Sequence, residues 1–182
     1  MKGRKCDKIV VLTALFLALA GGVGAAKYQA VLGSEGVQKI TPEEEGLGPY
    51  YVVTFEVPRE AQGREIFRAM LEFEMDVSAR ELLEGYTNES PVVEVFALSQ
   101  TFGGEFDPEG AERLEEVERN MAVGTGRRVR LDITHFVQDI VSNVRTNHGL
   151  VIGSLTGPRD GVFEVKEKEG VRARLTVSYS DK

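Results

Sequence analysis

The chain has 182 residues, of which 42% are hydrophobic and 28% are charged, a composition that excludes wholesale disorder. Its formal net charge of −7 disfavours nucleic acid as a partner, because surfaces that bind phosphate backbones are typically basic. The length fits one domain of about 100–150 residues after a leader and argues against a two-domain enzyme.

Residues 1–25 have the pattern of a secretory signal peptide. An apolar run, Ile9–Ala20, is followed by small residues, and the candidate cleavage sites lie after Ala20 and after Ala25. The alternative is a retained anchor, because Ile9–Ala26 is uncharged over 18 residues, slightly short of the roughly 20 that span a bilayer. We expect a cleaved leader and a secreted or cell-surface protein. The basic residues that open the segment are Lys2, Arg4, Lys5 and Lys8.

The only cysteine, Cys6, precedes the apolar run, so the exported chain is predicted to contain no disulfide and no lipid anchor. The remaining 157 residues, with a net charge of about −10, are enough to form a hydrophobic core that is stable without disulfide bonds. We divide them into an N-terminal arm with short edge strands at 26–48 and a β-sandwich domain at 49–182.

Short strands dominate the chain from the arm onward. In the longest, Ile66–Val77, odd-numbered apolar residues alternate with polar ones, which indicates a sheet with one buried face. The same period recurs in the closing strand, Val171–Tyr179, and Gly and Pro punctuate the links. The other predicted strands are Tyr28–Leu32, Val37–Ile40, Tyr50–Val57, Val92–Leu98, Val129–Ile133, Gly149–Leu155 and Gly161–Lys166.

Two short helices are predicted between these strands. The first begins at Asp107-Pro108, a capping acid followed by proline, and places four apolar residues at helical spacing up to Met121. The second begins at Thr134 and carries an apolar face that ends near Arg145. The fold class is therefore all-β, an antiparallel β-sandwich of jelly-roll type with two short helices.

Three groups of motifs occur in a recognisable order. They are Tyr51–Pro58 with Phe67–Phe73, then Arg130-Leu-Asp-Ile-Thr134 with a short helix and Asn147-His-Gly-Leu-Val-Ile152, then Arg174-Leu-Thr-Val-Ser-Tyr179. This succession resembles the DNRLRE family, disaggregatase-related modules that overlap a carbohydrate-binding module class. The resemblance implies an extracellular jelly-roll sandwich that binds carbohydrate. The stretch from Asp132 to Leu150 is also similar to the arm region of TGF-β propeptides, which implies a similar sandwich.

The central motif has a structural interpretation. Asp132 or Thr134 can satisfy the free amides at the start of the second helix, and Gly149 lets the chain turn back into a strand. No residue pattern in the sequence indicates a nucleophile elbow, a phosphate-binding loop or paired catalytic acids, and we expect a non-catalytic protein.

Sugar binding uses flat aromatic faces with a few hydrogen-bonding groups. The candidate ligand-binding residues are Tyr50, Tyr86, Phe102 and Phe106. For the two phenylalanines the alternative is that they fasten a loop to the core. A structural calcium ion is the one cofactor that the residues suggest, with candidate ligands Glu105, Asp107 and Glu109, which also suit a helix N-terminus.

Two functions follow from these observations. The first is a secreted, non-catalytic module that binds extracellular or cell-envelope polysaccharide. The alternative is a structural subunit of an extracellular matrix or filament, which self-associates when its arm pairs with a neighbour's sheet edge.

Overall fold

The computed structural model describes residues 24–41, 49–79, 93–104, 106–107, 111–117, 124–153 and 161–181. These residues form an all-β fold with one α-helix and one 3₁₀ turn, and the predicted antiparallel β-sandwich is confirmed. The strands are β1 (Ala25–Leu32), β2 (Val37–Ile40), β3 (Tyr50–Val53), β4 (Ile66–Ala79), β5 (Val93–Ala97), β6 (Glu112–Val117), β7 (Gly124–Asp132), β8 (Leu150–Gly153), β9 (Gly161–Val165) and β10 (Ala173–Ser180). The helix is α1 (Thr134–Val141), and the 3₁₀ turn is Arg59–Ala61.

The strands form two antiparallel sheets. The first sheet has the order β1-β10-β4-β7, and the second has the order β2-β3-β8-β5-β6. The 14-residue strand β4 organises the first sheet. One of its edges pairs with β10 over Ile66–Phe73 and then with β9 over Met75–Ala79, while the other edge pairs with β7.

The main core lies between the two sheets. In β4 the alternate residues Ala69, Leu71, Phe73 and Met75 are buried, as the period-two pattern predicts. They pack in one cluster with residues of the second sheet and with the apolar face of α1, which covers one end of the sandwich. The contributions of the second sheet and α1 are Val37, Tyr51, Val53, Val95, Ala97, Leu150, Ile152, Phe136, Val137, Ile140 and Val141.

Phe67 departs from the predicted alternation. The pairing of β4 with β10 shifts register between Ser178 and Tyr179, which is a β-bulge. A bulge inserts one unpaired residue and reverses which face the next side chain occupies. Ile66 is consequently buried at 6% exposure, and Phe67 is 44% exposed on the outer face of the first sheet.

The first predicted helix is wrong where the chain is described. Glu112–Val117 forms β6, which pairs antiparallel with β5 at the edge of the second sheet. Apolar residues at helical spacing favour a helix only weakly when a strand edge is available for pairing. Pairing with that edge satisfies backbone groups that an isolated short helix leaves without partners. Residues 108–110 and 118–121 of the predicted helix lie outside the described residues. The second predicted helix is confirmed as α1.

The predicted arm contributes the first two strands. β1 pairs with β10 at one edge of the first sheet, and β2 pairs with β3 at one edge of the second. A tight turn joins them, in which the Val37 amide donates a hydrogen bond of 3.0 Å to the Gly33 carbonyl. Within the described residues no helix is both long and apolar enough to cross a membrane.

Candidate functional site

The outer face of the second sheet carries a second apolar cluster. Tyr50 and Val52 in β3, Phe96 in β5 and Val151 in β8 are buried there, on the side away from the main core. They are buried because residues 99–107, which we call the covering loop, fold back across the sheet; Glu105 of this loop lies outside the described residues. Runs such as Tyr-Tyr-Val-Val in β3 are apolar on both faces, which is typical of a strand covered on both sides.

Three of the four predicted aromatic residues meet in this cluster. The ring centroids of Tyr50 and Phe102 are 6.3 Å apart in an edge-on arrangement, and those of Tyr50 and Phe106 are 6.1 Å apart. Phe106 also packs edge-on against Phe96 at 5.5 Å. Tyr50 is 5% exposed, whereas both phenylalanines are half-buried. The fourth candidate, Tyr86, lies outside the described residues.

A depression of about 220 Å³ opens beside these rings. We call it the aromatic depression. Its apolar wall is formed by Leu98, Phe102 and Phe106, and its other lining residues include polar side chains of the covering loop. An apolar wall with a few hydrogen-bonding groups is the usual composition of a small-ligand site. The polar lining residues are Ser99, Gln100, Thr101 and Asp107.

A buried ion pair supports one side of this face. Glu94 of β5 is 2% exposed, and a carboxylate oxygen lies 2.9 Å from the Arg113 guanidinium on the neighbouring strand β6. The same guanidinium lies 5.8 Å from the centroid of the Phe96 ring. A buried carboxylate needs such a partner, because transferring an unpaired charge from water is costly. The strand β6, missed from the sequence, thus helps to hold the aromatic cluster.

The predicted calcium ligands are only partly described. Asp107 is exposed beside the aromatic depression, while Glu105 and Glu109 lie outside the described residues. Across the part of the chain that the structure describes, His, Cys, Asp and Glu form no group of three or more suited to a metal ion. The calcium site stays a prediction.

The residues of the central motif join the start of α1 to β4. The Asp132 carboxylate accepts a hydrogen bond of 3.0 Å from the Thr134 amide and a second one from the Thr134 hydroxyl. That hydroxyl in turn accepts a 2.9 Å hydrogen bond from the Ala69 amide. The hydroxyl donor above all, together with the amide, holds the pKa of Asp132 below its usual value.

Gly149 stands at the entrance to β8 with a φ of +99°, a backbone conformation that favours glycine. Its amide donates to the Asn147 side chain at 3.1 Å, and Asn147 also donates to the Phe55 carbonyl at 2.7 Å. The turn between α1 and β8 is therefore held against the chain that leaves β3.

A second depression, of about 420 Å³, lies at the carboxyl end of α1. It is lined by polar residues such as Asn143 and Asn147, together with Ile140 and the exposed Val144. No aromatic ring lines it among the described residues, which distinguishes it from the aromatic depression.

Comparison with known proteins adds no relative: no protein-family model matches the chain, and no curated protein matches it significantly. The resemblance to the DNRLRE family and to TGF-β propeptides therefore stays a prediction from motif order.

Proposed function

We propose that the protein is a secreted, non-catalytic β-sandwich module that binds polysaccharide at the aromatic depression. The observation that carries the proposal is that Phe102 and Phe106 of one loop, with polar groups of the same loop beside them, pack against Tyr50 of the distant strand β3. The leader-like N-terminus and the motif order support an extracellular, carbohydrate-related role.

The chemistry of the depression suits a sugar ring. Sugars present apolar C–H faces and a rim of hydroxyls, so they fit an apolar wall beside hydrogen-bond donors and acceptors. Phe102 and Phe106 keep part of their rings accessible, while the exposed side chains of Gln100 and Thr101 can exchange hydrogen bonds with hydroxyls. Asp107 adds a carboxylate acceptor at the same edge.

The test compares polysaccharide binding by the exported protein and by Phe102→Leu. Leucine retains apolar bulk that fastens the loop but lacks the flat ring, so it separates packing from stacking. We expect affinity to fall about 3- to 10-fold, as the loss of an aromatic contact predicts. The matched control is Phe67→Leu, which changes an exposed phenylalanine on the other sheet and should leave binding unchanged.

A glycan array and affinity electrophoresis against soluble polysaccharides provide the measurement, with thermal unfolding as a check of the fold. Retention on no polysaccharide would overturn the proposal. So would equal loss of binding in both phenylalanine variants, because the effect would then not belong to the aromatic depression.

The alternative function, a structural subunit assembled through its arm, is restricted by the pairing of that arm within its own chain. Both strands of the arm pair with sheets of their own chain, so the arm is not free to be donated without leaving β10 and β3. A contact between chains would have to use strand edges that remain available after folding.

A further inference from the structure

One long strand edge of the first sheet has no partner among the described strands. β1 pairs with β10 along one edge over all eight of its residues, from Ala25 opposite Ser180 to Leu32 opposite Ala173. In the part of the chain that the structure describes, the other edge of β1 is the border of the sheet. Such an edge presents a row of backbone donors and acceptors to another chain.

The hydrogen bonds of β1 show which backbone groups face outward. The Gly24 carbonyl accepts a bond of 2.7 Å from the Asp181 amide. At the other end, the Leu32 carbonyl accepts one of 2.8 Å from the Arg172 amide. Even-numbered residues therefore direct their N–H and C=O groups toward β10, and the intervening residues direct theirs to the free edge. These outward-directed residues are Ala25, Lys27, Gln29 and Val31.

This edge carries few of the features that usually prevent strand pairing. β1 contains no proline, and Lys27 is its single charged residue. The pairing with β10 has no register shift, so β1 is regular along its length. Val31 is 56% exposed on the solvent face. Natural edge strands are more often shortened, bulged or charged.

We propose that the free edge of β1 pairs antiparallel with β1 of a second copy of this chain, about a two-fold axis that passes between the Tyr28 residues of the two copies. The two first sheets then form one continuous sheet. Because the same edge serves both copies, the contact is self-complementary and closes as a dimer rather than growing into a filament. The proposal is independent of polysaccharide binding.

The register follows from charge and overlap. Only registers that oppose outward-directed residues can form the ladder. Centred on Lys27, the two ammonium groups would face each other, which is unfavourable. Centred on Gln29, three pairs of outward-directed residues form: Lys27 with Val31 twice, and Gln29 with its counterpart. Centred on Tyr28, four such pairs form, which join Ala25 to Val31 and Lys27 to Gln29, each twice. In this register the two tyrosines occupy a non-hydrogen-bonded position, where cross-strand side chains lie closest.

Tyr28 gains most from this pairing. It packs against the main core but is only partly buried in the single chain, as are Ala30 and Tyr179 near the same edge. A neighbouring strand would cover these apolar groups, and an aromatic pair across strands is among the favourable ones.

Sedimentation velocity of the chain from Gly21 to Lys182, which follows the candidate cleavage site after Ala20 and retains all of β1, tests the proposal from micromolar to millimolar concentration. We expect a monomer–dimer equilibrium. Gln29→Pro removes an outward N–H and leaves the ladder to β10 intact, so it should abolish the dimer while circular dichroism stays unchanged. The matched control Gln29→Ala retains the N–H and should keep the dimer.

Two charge variants test the register. With Tyr28 at the centre, Gln29→Glu faces Lys27 of the second copy twice and should tighten the dimer roughly 2- to 30-fold, while Gln29→Lys should weaken it similarly. A protein that is monomeric at every concentration, or a dimer that survives Gln29→Pro, would overturn the proposal. Weakening by both charge variants would contradict the register, since that result requires Gln29 at the centre.

Discussion

Substitution of Gly149 by alanine tests the junction between α1 and β8. A methyl group on Gly149 would lie 2.5 Å from the Val53 carbonyl oxygen and 3.2 Å from the Thr54 methyl carbon. Its φ of +99° adds backbone strain for any residue with a Cβ. Alanine therefore has both a conformational and a steric cost, and the steric clash lies at the strand pair β3–β8.

The magnitude follows from these two terms. Left-handed backbone costs a non-glycine residue about 1–2 kcal/mol, and forcing an extra methyl into a packed site costs about 1–3 kcal/mol. We expect Gly149→Ala to lower the free energy of unfolding by roughly 2–5 kcal/mol. Gly104 is a matched control, because its φ is +110° but nothing lies within 4 Å of a methyl group there.

Urea unfolding followed by circular dichroism gives the comparison. Gly104→Ala should lose only the conformational term, about 1–2 kcal/mol, with an unchanged dependence of the free energy on urea. If Gly149→Ala is no less stable than Gly104→Ala, the close approach to β3 does not constrain this junction and the reasoning is refuted.

Three further comparisons, which use five substitutions, test other parts of the fold. Asp132→Ala should lower the free energy of unfolding by about 1 kcal/mol at neutral pH. Because the folded-state pKa of Asp132 is lowered, this difference from the parent protein should shrink below the usual pKa of 3.8 and vanish as the pH falls through the folded-state pKa. Unfolding curves measured at a series of acid pH values provide the test. Phe73→Ala should cost about 3–5 kcal/mol and Phe67→Ala less than about 1 kcal/mol in urea unfolding, a contrast that disappears if the bulge is absent. Arg113→Met should cost about 1–3 kcal/mol, since it removes a partner of a buried carboxylate, whereas Arg130→Met breaks a more exposed pair worth less than about 1 kcal/mol; equal losses in thermal unfolding would contradict this assignment.

The all-β architecture could be predicted from the sequence because alternation is a local property. In β4 and β10, burial of every second residue is written in the order of apolar and polar side chains. The bulge that turns Phe67 outward could not be read in this way. It depends on the pairing of β4 with β10, which is a non-local contact.

The strand β6 shows the limit of periodicity. Its residues fit a helical spacing as well as a strand. The strand forms because it pairs with the edge of β5, and the covering loop separates the two strands along the chain, so a local pattern does not show this pairing. The ion pair between Glu94 and Arg113 follows from that pairing, and so it was missed as well.

The candidate site was predicted in part. The aromatic residues outside the alternating faces are recognisable in the sequence; Phe102 and Phe106 line the aromatic depression, and Tyr50 packs against both from the cluster beside it. The sequence signal for the covering of both faces of the second sheet is the uninterrupted apolar runs of β3 and β8. Which polar groups would line the depression depends on the path of the covering loop, and a sequence pattern does not specify such a path.

The most direct test of the central proposal is a nuclear magnetic resonance titration of the exported protein with a polysaccharide fragment selected on the glycan array. Ligand-dependent shifts should concentrate on the amides and rings of the aromatic depression, above all at Gln100, Thr101, Phe102 and Phe106. Shifts confined to the outer face of the first sheet or to the second depression at the end of α1 would place the ligand elsewhere and contradict the proposed site.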